Sequence, residues 1–138
     1  LMSLGIPLNT DSTLKGQTVF LAERCGELMH DSIITDRTIL DVMAFTINAK
    51  SIPHQDKEAF ETYASEFIRE YDYIFYISPH GIEIEDNGVR ETDKQYRDLI
   101  DFTITTLIKR HGHKAGTIEK ISGSTEERIQ QILNVTKL

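Results

Sequence analysis

The chain has 138 residues, enough for one domain with a hydrophobic core, and its net charge of -7 argues against a non-specific nucleic-acid binder. The single cysteine, Cys25, excludes an intrachain disulfide and a cysteine-rich zinc site. No apolar run reaches the roughly 20 residues of a membrane span and no signal peptide is visible, so we expect a cytoplasmic protein.

The first half of the chain predicts three helices and one strand. Apolar residues at helical spacing predict a helix from Thr13 to His30. A β-branched run predicts a buried strand at 33–36, which ends in Asp36 and Arg37. Helices are predicted over 38–50 and 56–70, on either side of a loop that contains a proline.

The second half predicts two strands and two helices. An aromatic and β-branched run gives the strongest strand prediction, at 73–77, and a long acidic loop resembling a lid follows at about 79–93. A helix over 94–111, a strand at 117–121 and a helix over 125–136 complete the chain, and Ser124 with Glu127 matches a capping box at the start of the last helix.

Strands that alternate with helices imply an α/β fold, in which helices cover both faces of a parallel sheet. We therefore expect residues 1–138 to form one domain with three parallel strands. Three strands are few for such a sheet, so the sheet is expected to be incomplete at its amino-terminal end.

The strand-end pair Asp36 and Arg37 is the first candidate site. Ligands of open α/β sheets bind at the carboxyl ends of the strands. An acid there can hold a magnesium-bound water or take a proton from a substrate hydroxyl, and an arginine can hold phosphate through two parallel hydrogen bonds. The alternative is an aspartate that caps the next helix beside a solvated arginine.

Four segments recur together in a known order: strand-DR-helix at 33–40, DYIFYIS at 72–78, IEDNGVRETD at 84–93 and ISGSTEERIQQI at 121–132. This set resembles the P-loop kinases of nucleosides and nucleotides. It is most similar to the small predicted ATPase/kinase family that is grouped with the ribosylnicotinamide kinase domain of the bacterial NAD regulator. The resemblance covers nearly the whole chain and implies a three-layer, parallel P-loop kinase-like sheet.

The resemblance also implies roles for individual residues. Asp36 resembles the strand-end acid that acts as base or through Mg²⁺, and Arg37 resembles the arginine that contacts the acceptor. Arg90 and Arg97 resemble lid arginines that close over phosphates; their alternative is a salt bridge with a nearby acid, which contributes about 0–1 kcal/mol.

Two further parts of the chain have weaker resemblances. Gln17 resembles a helix glutamine that recognises a base or a carboxamide of the substrate, although a solvated helix residue is the more ordinary interpretation. Ser122, Gly123 and Ser124 lie where such kinases pass near the adenine of ATP, and a plain turn with a helix cap explains them equally well. The histidines are scattered, and no pair has the spacing of a metal site.

The family's glycine-rich motif GxxxxGK[ST], whose backbone cradles phosphates and whose lysine contacts them, does not occur in the 138 residues. We therefore expect this chain to be a fragment, to lack an amino-terminal part, or to be degenerate, and to be inactive alone. In the family the motif's strand lies between the other two, so 33–36 and 73–77 should not pair, whereas 73–77 and 117–121 should pair in parallel.

For the intact protein we expect ATP- and Mg²⁺-dependent phosphoryl transfer to a nucleoside, nucleotide or similar small metabolite. The alternatives are a non-catalytic nucleotide-binding or regulatory domain and an NTPase without a small acceptor. No membrane partner is expected, and a homo-oligomer is left open.

Overall fold

A computed structural model of the protein describes residues 5–79 and 91–138, with the side chains of 91–93 outside the described part. The elements, in chain order, are α1 (Leu14–Glu27), α2 (Ile39–Ile47), α3 (His54–Ser65), β1 (Tyr73–Ile77), α4 (Glu91–His111), β2 (Thr117–Ile121) and α5 (Thr125–Thr136). Short 3₁₀ turns cover Asn9–Asp11, Glu66–Glu70 and Gly112–Lys114.

The two strands of the described residues form a parallel pair. Tyr73 lies opposite Thr117 and Ile77 lies opposite Ile121, and α4 connects the strands. The predicted parallel pairing of 73–77 with 117–121 is therefore confirmed, as is the mixed α/β character of the chain. Most of the structure is helical, and a three-layer P-loop sheet remains a prediction.

The predicted strand at 33–36 is wrong. Residues 33–35 have no regular secondary structure, and the side chain of Ile34 is 96% exposed. Positive φ angles at Ser32 (54°) and Arg37 (123°) interrupt the extended backbone on both sides. A β-branched run becomes a strand only where a neighbouring strand accepts its hydrogen bonds, and no such neighbour is present among the described residues.

The predicted helices form: the first three end earlier than predicted, the fourth begins earlier, and the fifth has the predicted bounds. The side chain of Thr13 accepts a hydrogen bond from the Gly16 backbone at 3.1 Å and caps α1. At α2 the side chains of Thr38 and Asp41 form a capping box that fixes the start of the helix. The capping box predicted for Ser124 and Glu127 is confirmed at the start of α5.

The hydrophobic core is organised around α2, which packs against α1, α3 and α4. Ile39 and Met43 of this helix are fully buried, together with Ile68 after α3 and Leu107 of α4. Burying a side chain of this size stabilises the fold by about 1.5–3 kcal/mol. The continuous apolar face of α2 is the reason that this short helix can occupy the centre.

The acidic loop predicted at 79–93 lies largely outside the described residues, and so does Arg90. The helix after it begins at Glu91, a few residues before the predicted start. Among the described residues, no helix combines the length and apolar character needed to cross a membrane.

Candidate functional site

A cleft of about 1190 Å³ runs beside β1. Its walls come from residues 30–37, from β1, from α4 and from the carboxyl-terminal end of the chain. Asp36, Arg37 and Arg97 all line this cleft. Three of the four predicted catalytic residues therefore face one space, although some sixty positions separate the first pair from Arg97 in the sequence.

Arg37 has an unusual backbone conformation. Its φ angle of 123° lies in a region that residues with a Cβ rarely adopt, and its carbonyl accepts a hydrogen bond from Thr35 Oγ1 at 2.8 Å. Such strain costs about 1–3 kcal/mol and persists where the surroundings enforce it, often at functional sites. Asp36 and Arg37 thus lie in a strained bend before α2 rather than at the end of a strand.

Arg97 carries an unsatisfied hydrogen-bond donor. The residue is half-buried on α4, and its Nε is buried without a hydrogen-bond partner among the described residues. A guanidinium offers five N–H donors in a planar fork that matches a phosphate or carboxylate. Because Arg97 lines the cleft, an anion bound there is the kind of group that its guanidinium would bind.

Tyr76 and Asp101 form a polar contact in the wall of the same cleft. The Tyr76 hydroxyl donates a short hydrogen bond to Asp101 Oδ1. Burial, and then the hydrogen bond with this carboxylate, raise the pKa of Tyr76 to about 12. Tyr76 therefore remains a neutral donor at physiological pH and fixes the carboxylate of Asp101 one helical turn after Arg97.

A second, smaller cavity of about 290 Å³ adjoins the cleft. Phe20 and Phe45 contribute aromatic walls from α1 and α2, and Arg24 contributes a guanidinium. Arg37 and Asp41 line both the cavity and the cleft. The two spaces therefore meet at the bend that carries Asp36 and Arg37 and at the start of α2.

Gln17 lines the smaller cavity but is only 3% exposed. Its Nε2 donates to the Val42 carbonyl at 3.3 Å and to Thr46 Oγ1 at 3.0 Å. These bonds tie α1 to α2 and explain why a polar residue is buried between the two helices. That Gln17 recognises a substrate base stays a prediction. Its amide nitrogen already donates to Val42 and Thr46.

Asp41 has both a structural and an electrostatic role at the junction of the two spaces. Its Oδ2 accepts a hydrogen bond from the Thr38 backbone at 2.8 Å. Burial raises the pKa of Asp41, while that hydrogen bond and the nearby Arg37 guanidinium lower it in part. Its carboxylate holds the start of α2, and thereby the preceding bend, in place.

Ser122, Gly123 and Ser124 form a turn and a helix cap. Gln131 clamps Ser122 by accepting from its backbone N–H at 3.1 Å and donating to its carbonyl at 2.7 Å. Gly123 has a φ of 98°, which suits glycine, and Ser124 caps α5. The three residues line neither the cleft nor the smaller cavity, and their predicted contact with adenine stays a prediction.

The described residues contain no group of three or more histidine, cysteine, aspartate or glutamate side chains that could hold a metal ion. Magnesium is commonly held by one or two carboxylates together with substrate phosphates and water. The exposed carboxylate of Asp36 in the cleft fits that limited requirement.

Among the side chains described above, sequence reasoning did not select Tyr76 and Asp101 of the cleft wall, and in the smaller cavity it missed Phe20, Arg24, Phe45 and Asp41. The spacing of Thr38 and Asp41 matches a capping motif and could have identified the last of these. Phe20, Arg24 and Phe45 are brought together by the packing of α1 on α2, which no local pattern reports.

A scan against protein-family models found no family that matches the chain, and searches of curated proteins and of solved structures returned no match.

Proposed function

We propose that, as part of the intact protein, the domain transfers a phosphoryl group from ATP, with Mg²⁺, to a nucleoside, nucleotide or similar small metabolite. The observation that carries the proposal is that Asp36, Arg37 and Arg97 line one cleft, which meets a smaller cavity at Arg37. Phosphoryl transfer depends on positioning and on charge neutralisation, so an acid and two arginines around one space supply much of what it requires.

The cleft is the proposed place of the phosphates. The Arg37 and Arg97 guanidinium groups would neutralise the charge of the transferred group, and Arg97 has a donor that the described residues leave without a partner. Asp36 would take the proton of the attacking hydroxyl or hold magnesium, which supplies further neutralisation of the phosphate charge when it is bound.

The smaller cavity is the proposed place of the acceptor. Its volume of about 290 Å³ suits a small metabolite, and the rings of Phe20 and Phe45 provide apolar walls beside the charged groups of Arg24 and Asp41. A hydroxyl of a molecule bound there would point toward the bend of Asp36 and Arg37, where cavity and cleft meet.

The second candidate is a non-catalytic nucleotide-binding or regulatory domain. The absence of GxxxxGK[ST] from the 138 residues favours it, because a glycine-rich loop and its lysine normally bind the terminal phosphates.

Under either function, the 138-residue chain alone should show no ATP-dependent phosphorylation of nucleosides. Robust magnesium-dependent turnover by the purified chain would contradict that expectation.

Binding of ATP and of inorganic triphosphate by the chain, measured by calorimetry with Mg²⁺ present, tests the phosphate site without requiring turnover. Arg97→Ala should weaken binding by at least about tenfold, since a charge-assisted hydrogen bond contributes about 1.5–3 kcal/mol. Arg69→Ala is the matched control, because Arg69 is an exposed arginine paired with Glu66 outside the cleft.

Equal affinities of the two variants, or no binding by the unmodified chain, would contradict the proposed phosphate site.

In an intact active protein, Arg90→Ala and Arg97→Ala should lower phosphoryl transfer far more than thermal stability. Variants that melt much earlier and yet transfer normally in the folded fraction would instead support simple salt bridges.

A further inference from the structure

The strand β1 has one hydrogen-bonded edge and one edge without a neighbour among the described residues. The Thr117 backbone N–H donates to the Asp72 carbonyl at 2.9 Å. This bond shows that the backbone groups of Asp72, and of every second residue after it, face β2. Because backbone groups alternate in direction along a strand, those of Tyr73, Phe75 and Ile77 point away from β2. These residues form the free edge of β1.

The cleft follows this free edge. Every residue of β1 lines it, whereas β2 contributes Ile121 alone. Ile100, Ile104 and Ile108 recur every fourth position of α4 and add an apolar wall, to which Ile132 of α5 adds a further apolar side chain. Part of the lining of the space is thus formed by apolar side chains and by unpaired backbone groups of β1, a combination that suits an additional β-strand.

We propose that an extended apolar segment of a separate polypeptide, with basic residues at its ends, adds to the free edge of β1 as a strand. Main-chain hydrogen bonds to Tyr73, Phe75 and Ile77 would hold it, and its alternate side chains would pack on the isoleucines of α4 and α5. A two-stranded sheet is marginal alone, and a third strand would bring it within the usual range.

The charged residues that line the cleft indicate that the partner segment is basic at its ends. Six carboxylates and two arginines line the space, so its rim is acidic. The carboxylates are those of Asp31, Asp36, Asp41, Glu70, Asp72 and Asp101. Basic flanking residues complement that rim, whereas a second copy of this chain, with net charge -7, would bring like charges together. This inference does not depend on the proposed phosphoryl transfer.

Two synthetic peptides test the proposal. Each has five alternating valine and isoleucine residues, flanked by two lysines at each end in one peptide and by two glutamates in the other. Binding is followed by backbone amide shifts and by hydrogen exchange at Tyr73, Phe75 and Ile77. The lysine peptide should slow exchange of these three amides at least tenfold, and the glutamate peptide should bind at least tenfold more weakly at low salt.

Phe75→Pro removes a free-edge N–H and leaves the ladder with β2 intact. Phe75→Ala is its matched control, since it loses the same ring and keeps the N–H. The proline variant should lose at least tenfold of its affinity for the lysine peptide relative to the alanine variant.

Three results would overturn the proposal. The first is slow exchange of the three amides in the chain alone, which would show that the edge is already covered. The second is equal binding of the two peptides, or of the proline and alanine variants. The third is slow exchange that rises with protein concentration and accompanies dimer formation, which would identify a second copy as the occupant.

Discussion

The hydroxyl of Tyr71 accepts a hydrogen bond from the backbone N–H of Ile39 at 3.2 Å. Tyr71 lies two residues before β1, and Ile39 is the first residue of α2, so this bond ties the entry of the sheet to the central helix. The first N–H groups of a helix have no partner within the helix, and Ile39 is fully buried. The tyrosine therefore satisfies a donor that water cannot reach.

Tyr71→Phe should lower the free energy of unfolding by about 1–3 kcal/mol, because it leaves this buried N–H unsatisfied. Urea unfolding followed by circular dichroism measures the change. Tyr63→Phe is the matched control: Tyr63 is 64% exposed, and its variant should differ from the parent by less than about 0.5 kcal/mol. Equal effects of both substitutions would show that the Tyr71 bond contributes no net stability.

Local patterns predicted the helices and both strands of the sheet, because apolar periodicity reports which face of an element is buried. The same reasoning failed at Ile33 and Ile34. Their β-branched side chains favour a strand, but strand formation needs a hydrogen-bonding neighbour, and a pattern within 33–36 does not reveal whether one exists.

The candidate site was predicted only in part, because a local pattern does not report how distant elements pack. Asp36 and Arg37 were selected first as a strand-end pair and then by resemblance, Arg97 was selected by resemblance, and all three line one cleft. A solvated helix residue was the more ordinary interpretation of Gln17, yet the residue is buried and its side-chain amide donates hydrogen bonds to α2. A contact between positions 17 and 46 is a property of helix packing, and sequence periodicity carries no information on it.

Stability should fall in alkaline solution as Tyr71 and Tyr76 lose their protons. Burial is the largest cause that raises the pKa of each hydroxyl, from 10.0 to about 12. A folded-state pKa above the unfolded value gives stability that is fully present below about pH 10 and is lost as the pH rises through about 12.

Unfolding free energies measured between pH 9 and about pH 12 test this expectation. The double variant Tyr71→Phe, Tyr76→Phe should show a smaller loss across that window than the parent. Parallel curves for the two proteins would mean that these hydroxyls ionise alike in the folded and unfolded chains.

Glu61 of α3 is expected to stabilise the fold at neutral pH and to lose that effect in acid. It accepts hydrogen bonds from Arg110 at 2.7 Å and from His111 at 2.9 Å, both on α4. Burial raises its pKa, but these two partners outweigh burial and hold the pKa of Glu61 below its usual value of 4.5. The stabilisation is therefore present above about pH 4.5 and is lost as the pH falls through the folded-state value.

Glu61→Gln should cost about 1 kcal/mol at pH 7, since solvent screens part of the pairing, and should flatten the decline of stability in acid. Glu58→Gln is the control. Its contact with His54 is equally short at 2.9 Å, but it lies within one helix and both side chains are largely exposed. Acid unfolding curves that coincide for the two variants would show that the bridge between α3 and α4 is no stronger than the exposed pair.

Gly116 is required where the chain enters β2. A Cβ at this position would lie 2.4 Å from the backbone oxygen of Asp72, the same oxygen that accepts the first ladder bond from Thr117. The Gly116 N–H also donates to the Tyr71 carbonyl at 3.0 Å, so the two backbone segments cannot separate without loss of both bonds. The close approach of the strands at this point therefore depends on the absence of a side chain.

Gly116→Ala should lower the free energy of unfolding by about 1–3 kcal/mol, the usual cost of forcing a methyl group into occupied space. Gly26→Ala is the matched control, because a Cβ at Gly26 meets nothing within 4 Å and alanine favours the helical conformation of α1. That variant should gain about 0.5–1 kcal/mol. Slower exchange of the Thr117 amide in Gly116→Ala than in the parent would contradict the expected clash, since a displaced Asp72 carbonyl can no longer protect that amide.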